Sequence, residues 1–172
     1  MKYVDFEREY FFSLLIWLFP IAVLFHVIEE SNGGFAYWVN DVLQVEMHIN
    51  AFYRNIVMGI IITISLCFIS FSTRTAGTTF VLFLWVRGIQ FWNFVCHMYA
   101  QYRFQTYSPG YFTAVLLCLP IYSYLSYPSM RERFLPWYLW LFAFVAGCFL
   151  MGFIIWACIY HLGPIPWEKW LF

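Results

Sequence analysis

Leu24-Phe25-His26-Val27-Ile28-Glu29-Glu30 closes the first long apolar run of the chain, where ionisable groups are least welcome. Five apolar residues from Ile21 precede the histidine, and Pro20 just below them removes a backbone donor and loosens the helix. His26, Glu29 and Glu30 are spaced i, i+3 and i+4, so a helix projects all three from roughly one face. An apolar run ending in one imidazole and two carboxylates reads as a membrane helix with a polar site at its end. What else in the chain comes to meet these groups decides the architecture and the chemistry.

The composition supports the membrane reading. The 172 residues are 63% hydrophobic and 25% aromatic but only 10% charged, less than half the roughly 25% charge of an ordinary soluble domain. There are too few polar residues to cover a soluble surface. The fold class is therefore all-α, a polytopic membrane helical bundle, and residues 1–172 are expected to form one integral membrane domain. A net charge of zero, with no clustered Lys/Arg patch, excludes a nucleic-acid interface. No cleavable signal is expected, because Met1 to Tyr10 mixes charges of both signs ahead of an overlong apolar run. Cys67, Cys96, Cys118, Cys148 and Cys158 all lie in apolar runs with no CxxC spacing, and read as small buried hydrophobes.

About 20 apolar residues cross a bilayer core as a helix. On that measure five transmembrane spans are expected, at about residues 10–28, 55–72, 78–100, 111–127 and 137–160. After the first, Ser31-Asn32-Gly33-Gly34 stops the helix. Phe35 to Asn50 then mixes aromatics with Asp41, Gln44, Glu46 and His48, and reads as one interfacial helix. Span three is unusual in carrying Arg87, Gln90, Asn93 and His97, spaced three, three and four, on one helical stripe. Pro120 falls inside span four. The tail after His161 holds Pro164, Pro166, Trp167 and Trp170, an aromatic interfacial anchor. No internal repeat is visible, which disfavours a small transporter.

Five crossings place His26, Glu29, Glu30, His48, Asn93, His97, His161 and the Tyr107-Ser108-Pro109-Gly110 turn on one side. The opposite side holds Lys2, Arg8, Arg74, Arg131 and Arg133, against Arg54, Arg103 and Lys169 on the first. The positive-inside rule then puts the N-terminus in the cytoplasm and the polar cluster at the other face.

Ionisable groups inside membrane spans cost several kcal/mol and face partners in the bundle interior. Two adjacent carboxylates at low dielectric need a compensating charge, supplied by a metal, by Arg87 or by a proton. His26, Glu29 or Glu30, and His97 together give imidazole and carboxylate ligands suited to zinc or non-haem iron with an open position. The glutamate left over would be a general base for a metal-bound water, making Glu29 and Glu30 the catalytic candidates. Asn93, Gln90, Arg87, His48 and Tyr107 are candidates to support the ligands or meet the substrate, and the Tyr107 to Gly110 turn is expected to form a lid over the site. Arg87, Gln90 and Asn93 alternatively form an interhelical hydrogen-bond network that fixes packing.

His26-x-x-Glu29-Glu30 at the end of a first span resembles the small integral membrane family named for its HXXEE motif. Asn93-x-x-x-His97 and Tyr107-Ser108-Pro109-Gly110-Tyr111-Phe112-Thr113-Ala114 resemble that family's second and third patches, in the same order. The family has no settled activity, so the resemblance implies a site without supplying a reaction. A CAAX-type protease would show Glu-Glu-x-x-x-Arg, and this chain has Gly34 where the arginine belongs. Eight-histidine di-iron chemistry is excluded in a chain of four histidines.

The expected function is a metal-dependent membrane enzyme acting on a membrane lipid or other apolar small molecule, by hydrolysis or oxidation. The alternative is a non-catalytic binding or accessory subunit with a buried charge network or an apolar ligand.

Overall fold

The computed structural model describes the backbone of residues 13–131 and 136–160, and the side chains of 13–127 and 136–153. Among these residues the regular secondary structure is all helix, with no strand. We number the helices α1 (Leu18–Asn32), α2 (Phe35–Leu43), α3 (Ile49–Thr73), α4 (Ala76–Phe104), α5 (111–131) and α6 (Trp137–Tyr160). Short π-helical segments, wider than an α-turn, lie within α4 at Leu84–Gln90 and within α5 at Ala114–Cys118.

Ser13–Asn32, α3 and α4 are each long and apolar enough to cross a membrane, while the described apolar parts of α5 and α6 are shorter. α3 turns Val57, Ile61, Ile64 and Phe68 outward, an apolar surface suited to lipid rather than water. The interior is aromatic. Phe19 stacks on Tyr122 with ring centroids 5.0 Å apart, and Phe83 and Phe94 close around them, all essentially inaccessible.

The prolines leave visible marks. Pro20 cannot donate to the Ile16 carbonyl, and the chain makes a turn at Ile16–Trp17 before α1 proper begins. Phe19 N–H, 3.1 Å away, and the Cys67 thiol of α3, 3.5 Å away, supply the missing donors to Ile16. Pro120 likewise lies two residues past the π segment of α5.

Several boundaries differ from the sequence expectation. α1 runs through the motif to Asn32, so the helix continues two residues past Glu30, with Glu29 and Glu30 in its last turn. Gly33 N–H returns to the Glu29 carbonyl at 2.8 Å, and Gly34, at φ +70°, turns the chain into α2 as only glycine does cheaply. The interfacial helix ends at Leu43 rather than near Asn50. Beyond it the Asn40 side chain clamps the Met47 backbone on both sides. α3 begins at Ile49 and α4 reaches Phe104, each longer than hydrophobicity alone delimits.

The stripe on α4 is the largest correction. The π segment shifts the helical phase, so Arg87 does not share a face with Asn93 and His97. Its guanidinium lies instead over Phe91, Trp140 and Phe144, 4.1 to 5.4 Å from the ring centroids. Beside it the π turn brings Gly88 against α6, where a Cβ on Gly147 would collide with the Gly88 backbone. Small residues permit that close crossing of α4 and α6.

Cys67 and Cys118 are buried as expected, whereas Cys96 is half-buried and Cys148 faces outward. His161, the aromatic tail and the charges of Met1 to Tyr10 lie outside the described residues, as does the side chain of Cys158.

Candidate functional site

α1 and α4 cross beside the N-terminus of α5, and the polar residues of all three converge there. His26 and Glu30 are one turn apart on the inner face of α1, and His97 comes from α4. All three side chains are buried, at 3%, 6% and 3% exposure. His97 Nε2 lies 3.1 Å and His26 Nε2 3.5 Å from the same oxygen, Glu30 Oε1. The ligand atoms these residues offer all lie within 4.8 Å of one another, a group able to hold a metal ion. Phe94 packs on His26 and Phe35 on His97, with centroids 4.8 and 5.2 Å apart, so the imidazoles are held in aromatic walls.

The far side of each ring is anchored. His97 Nδ1 is 3.2 Å from Ser108 Oγ, and Gln101 Oε1 in turn accepts from Ser108 N–H at 2.9 Å. His26 Nδ1 is 3.0 Å from Thr113 Oγ1. That hydroxyl has a single proton, and it donates to Glu29 Oε2 at 2.5 Å. The Thr113 oxygen is therefore the acceptor toward His26, which places the proton of neutral His26 on Nδ1. The Nε2 lone pair then faces Glu30 Oε1, acceptor against acceptor. Two lone-pair donors aimed at one point are what a cation requires.

Glu29 has a different position. It points to the N-terminus of α5, where Oε1 accepts from Tyr107 Oη at 2.6 Å and from Phe112 N–H at 3.0 Å. Oε2 accepts from Thr113 N–H at 2.6 Å as well as from the Thr113 hydroxyl. Glu29 thus caps a helix to which it does not belong, meeting N–H groups that have no intrahelical partner. Its acceptor positions are filled, so the structure does not offer it as the free general base expected from sequence. Tyr107, on the loop ahead of α5, has its phenol pushed up to about 12 by burial and by this hydrogen bond to the Glu29 carboxylate.

Gly110 covers the cluster. Its φ of +97° suits glycine, and a Cβ there would meet His26 Cε1 at 2.8 Å and both Glu30 Cγ and His97 Cε1 at 3.0 Å. Pro109 seats against Gly33 in the same way, so the turn is closed onto α1.

On the opposite side His26, Glu30, Asn93 and Gln90 line a cavity of about 360 Å³ between α1, α2, α3, α4 and α6. Asn93 Nδ2 is 3.5 Å from His26 Nε2, at the boundary between cluster and cavity. Apart from these residues and Asn55 the lining is almost entirely apolar.

Of the residues singled out from sequence, His26, Glu30, His97 and Asn93 come together, with Gln90 along the cavity wall. Tyr107 belongs to the Glu29 cap. His48 lies elsewhere, exposed at the start of α3 and 3.7 Å from Glu46. Sequence reasoning gave no role to Thr113, and named Ser108 and Gly110 only as part of a Tyr107–Gly110 lid, the turn that covers the cluster in the structure. The Pro109-Gly110 pair was the one available signal.

No curated protein and no solved structure matches the chain. The model of the family described as proteins of unknown function with HXXEE motif matches residues 17–125, and so, as its motif implied, the chain belongs to that family.

Proposed function

We propose that the chain is a five-span membrane protein whose His26, Glu30 and His97 bind a divalent zinc ion that hydrolyses an ester or amide of an apolar substrate. The observation that carries this reading is the convergence of the two imidazole Nε2 atoms on Glu30 Oε1 with their Nδ1 atoms held from behind. Two histidines and one carboxylate with an open position suit catalytic zinc and, equally by ligand type, non-haem iron. Oxidation at iron needs dioxygen and a reductant as further substrates, whereas hydrolysis needs only water.

Held by His26, Glu30 and His97, zinc would lower the pKa of a bound water to about 7 and so supply a nucleophile at neutral pH. Net, one water would be consumed: the acyl carbon would gain its oxygen, the bond to the alcohol or amine would break, and the leaving group would take up a proton. Asn93, at the boundary between cluster and cavity, is placed to donate to the developing oxyanion. The cavity holds the apolar part of the substrate. With the Lys/Arg bias of the loops, the cluster faces away from the cytoplasm and the N-terminus lies within it.

Elemental analysis of full-length protein purified without chelators tests the proposal. About one zinc per chain is expected, with none in His97→Ala. Metal-free wild type overturns the enzyme reading in favour of a non-catalytic apolar-ligand binder, and stoichiometric iron replaces hydrolysis with oxidation.

A further inference from the structure

The cavity beside the cluster also says what kind of lipid it takes. Its wall is mostly apolar, Val27, Val39, Phe52, Ile56, Trp85 and Ile89 among its side chains, and among the described residues no lysine or arginine lines it. Its polar groups outside the cluster are three carboxamides, Asn55, Gln90 and Asn93. The side-chain amides of Asn55 and Gln90 make no hydrogen bond to another described residue, and Asn93 has only the 3.5 Å approach to His26. Amides facing an apolar cavity without protein partners are left for a ligand that both donates and accepts.

Carboxamides are uncharged readers, whereas phosphate and carboxylate groups are met by arginine or lysine. Apart from the His26 imidazole, the ionisable side chain in the lining is Glu30, a carboxylate that repels an anionic head group. An anion there would be buried unpaired, at a cost of several kcal/mol. We infer that the cavity binds a long-chain lipid whose polar end is an uncharged ester, amide or hydroxyl, as in a monoacylglycerol, and discriminates against anionic phospholipids. The chain runs between the apolar walls, and the ester faces the amides and the cluster.

Gly59 provides a direct test, since it lines the cavity and a Cβ added there meets nothing within 4 Å. A β-carbon at this position has open space, so a larger side chain would extend into ligand space. The experiment uses detergent-solubilised full-length protein and a monoacylglycerol carrying a photoactivatable diazirine in its acyl chain, with labelled peptides mapped by mass spectrometry. Label is expected on Val39, Trp85 and Ile89. Unlabelled monoacylglycerol should compete about tenfold better than lysophosphatidate of the same acyl chain. Gly59→Leu, at unchanged melting temperature and metal content, should lower labelling about tenfold. Gln90→Leu should keep the label but lose the preference between head groups. Equal or better competition by lysophosphatidate overturns the inference, as does label spread over the outward Ile61, Ile64 and Phe68 of α3. Metal measured on the same samples separates the two readings. Preference for the anionic lipid at full metal content removes this inference alone. Preference for the neutral lipid in metal-free protein supports it and removes hydrolysis.

Discussion

Glu29 and Glu30 are adjacent in the chain and identical in chemistry, yet they belong to two different regions of the molecule. The step of about 100° between neighbours on a helix turns Glu29 toward α5 and Glu30 toward α4. On the α5 side a carboxylate meets backbone N–H groups, a phenol and a threonine hydroxyl, all donors, and is satisfied as an anion. On the α4 side it meets two imidazoles, one of which presents a lone pair, in a group able to hold a cation. The lesson is that ligand chemistry follows from what packs against a residue rather than from the residue. Thr113 ties the regions together, since its hydroxyl donates to Glu29 and accepts from His26.

That division can be broken in four ways. The largest effect is expected from Glu30→Gln, which keeps the shape but removes the anionic ligand, and metal content should fall below detection. Glu29→Gln should retain metal and lose about 1–3 kcal/mol of unfolding free energy, because donors at the α5 terminus lose their acceptor. If Glu29→Gln strips the metal as completely, the two glutamates form one site and the division fails.

Gly110→Ala comes next. A β-carbon at φ +97° directed at both imidazoles strains the backbone by about 1–3 kcal/mol and pushes the ligands apart. Calorimetric titration should show weakened zinc binding; wild-type affinity and stability would mean that the turn does not cover the site.

Thr113→Val cuts the link between the regions while filling similar space. Zinc affinity should fall roughly 10–100-fold, the usual loss when a ligand's hydrogen-bonded support is removed, and Thr113→Ser should restore it. Equal affinity in all three proteins would show that His26 needs no orientation from Glu29.

Tyr107→Phe is expected to have the smallest effect, about 1 kcal/mol or less. The Tyr107 phenol is raised to about 12 in the folded chain, above its unfolded value near 10. Its contribution is fully present below pH 10 and disappears as pH rises toward 12. The stability difference between wild type and Tyr107→Phe should therefore be flat from about pH 6 to 9 and shrink only above 10. A difference that changes between pH 6 and 9 would assign the contact to some other titrating group.

Much of the helical framework was legible because apolar content and the turn residues at Gly33-Gly34, Thr75 and Pro109-Gly110 mark where helices begin and end. The site was legible in its ligands, since a histidine or glutamate inside an apolar helix is expensive enough to demand a purpose. Arg87 shows where such reading stops. Its spacing from Gln90, Asn93 and His97 fits one stripe of an ideal helix, but the π segment Leu84–Gln90 departs from 3.6 residues per turn. A wider turn is a packing solution involving Gly88 and Gly147 on different helices, and local spacing contains no trace of it.

The sequence by itself determined an all-helical, apolar chain, a polar cluster built on His26 and Glu30, and His97 as its distant partner. Composition and periodicity are local properties, and the cost of burying charge attaches to each residue separately. Only the tertiary structure decided that Glu30 rather than Glu29 meets the imidazoles, and that Thr113 and Ser108 orient them. Those choices depend on which helix end and which ring lie within about 3 Å, distances set by chain segments far apart in sequence.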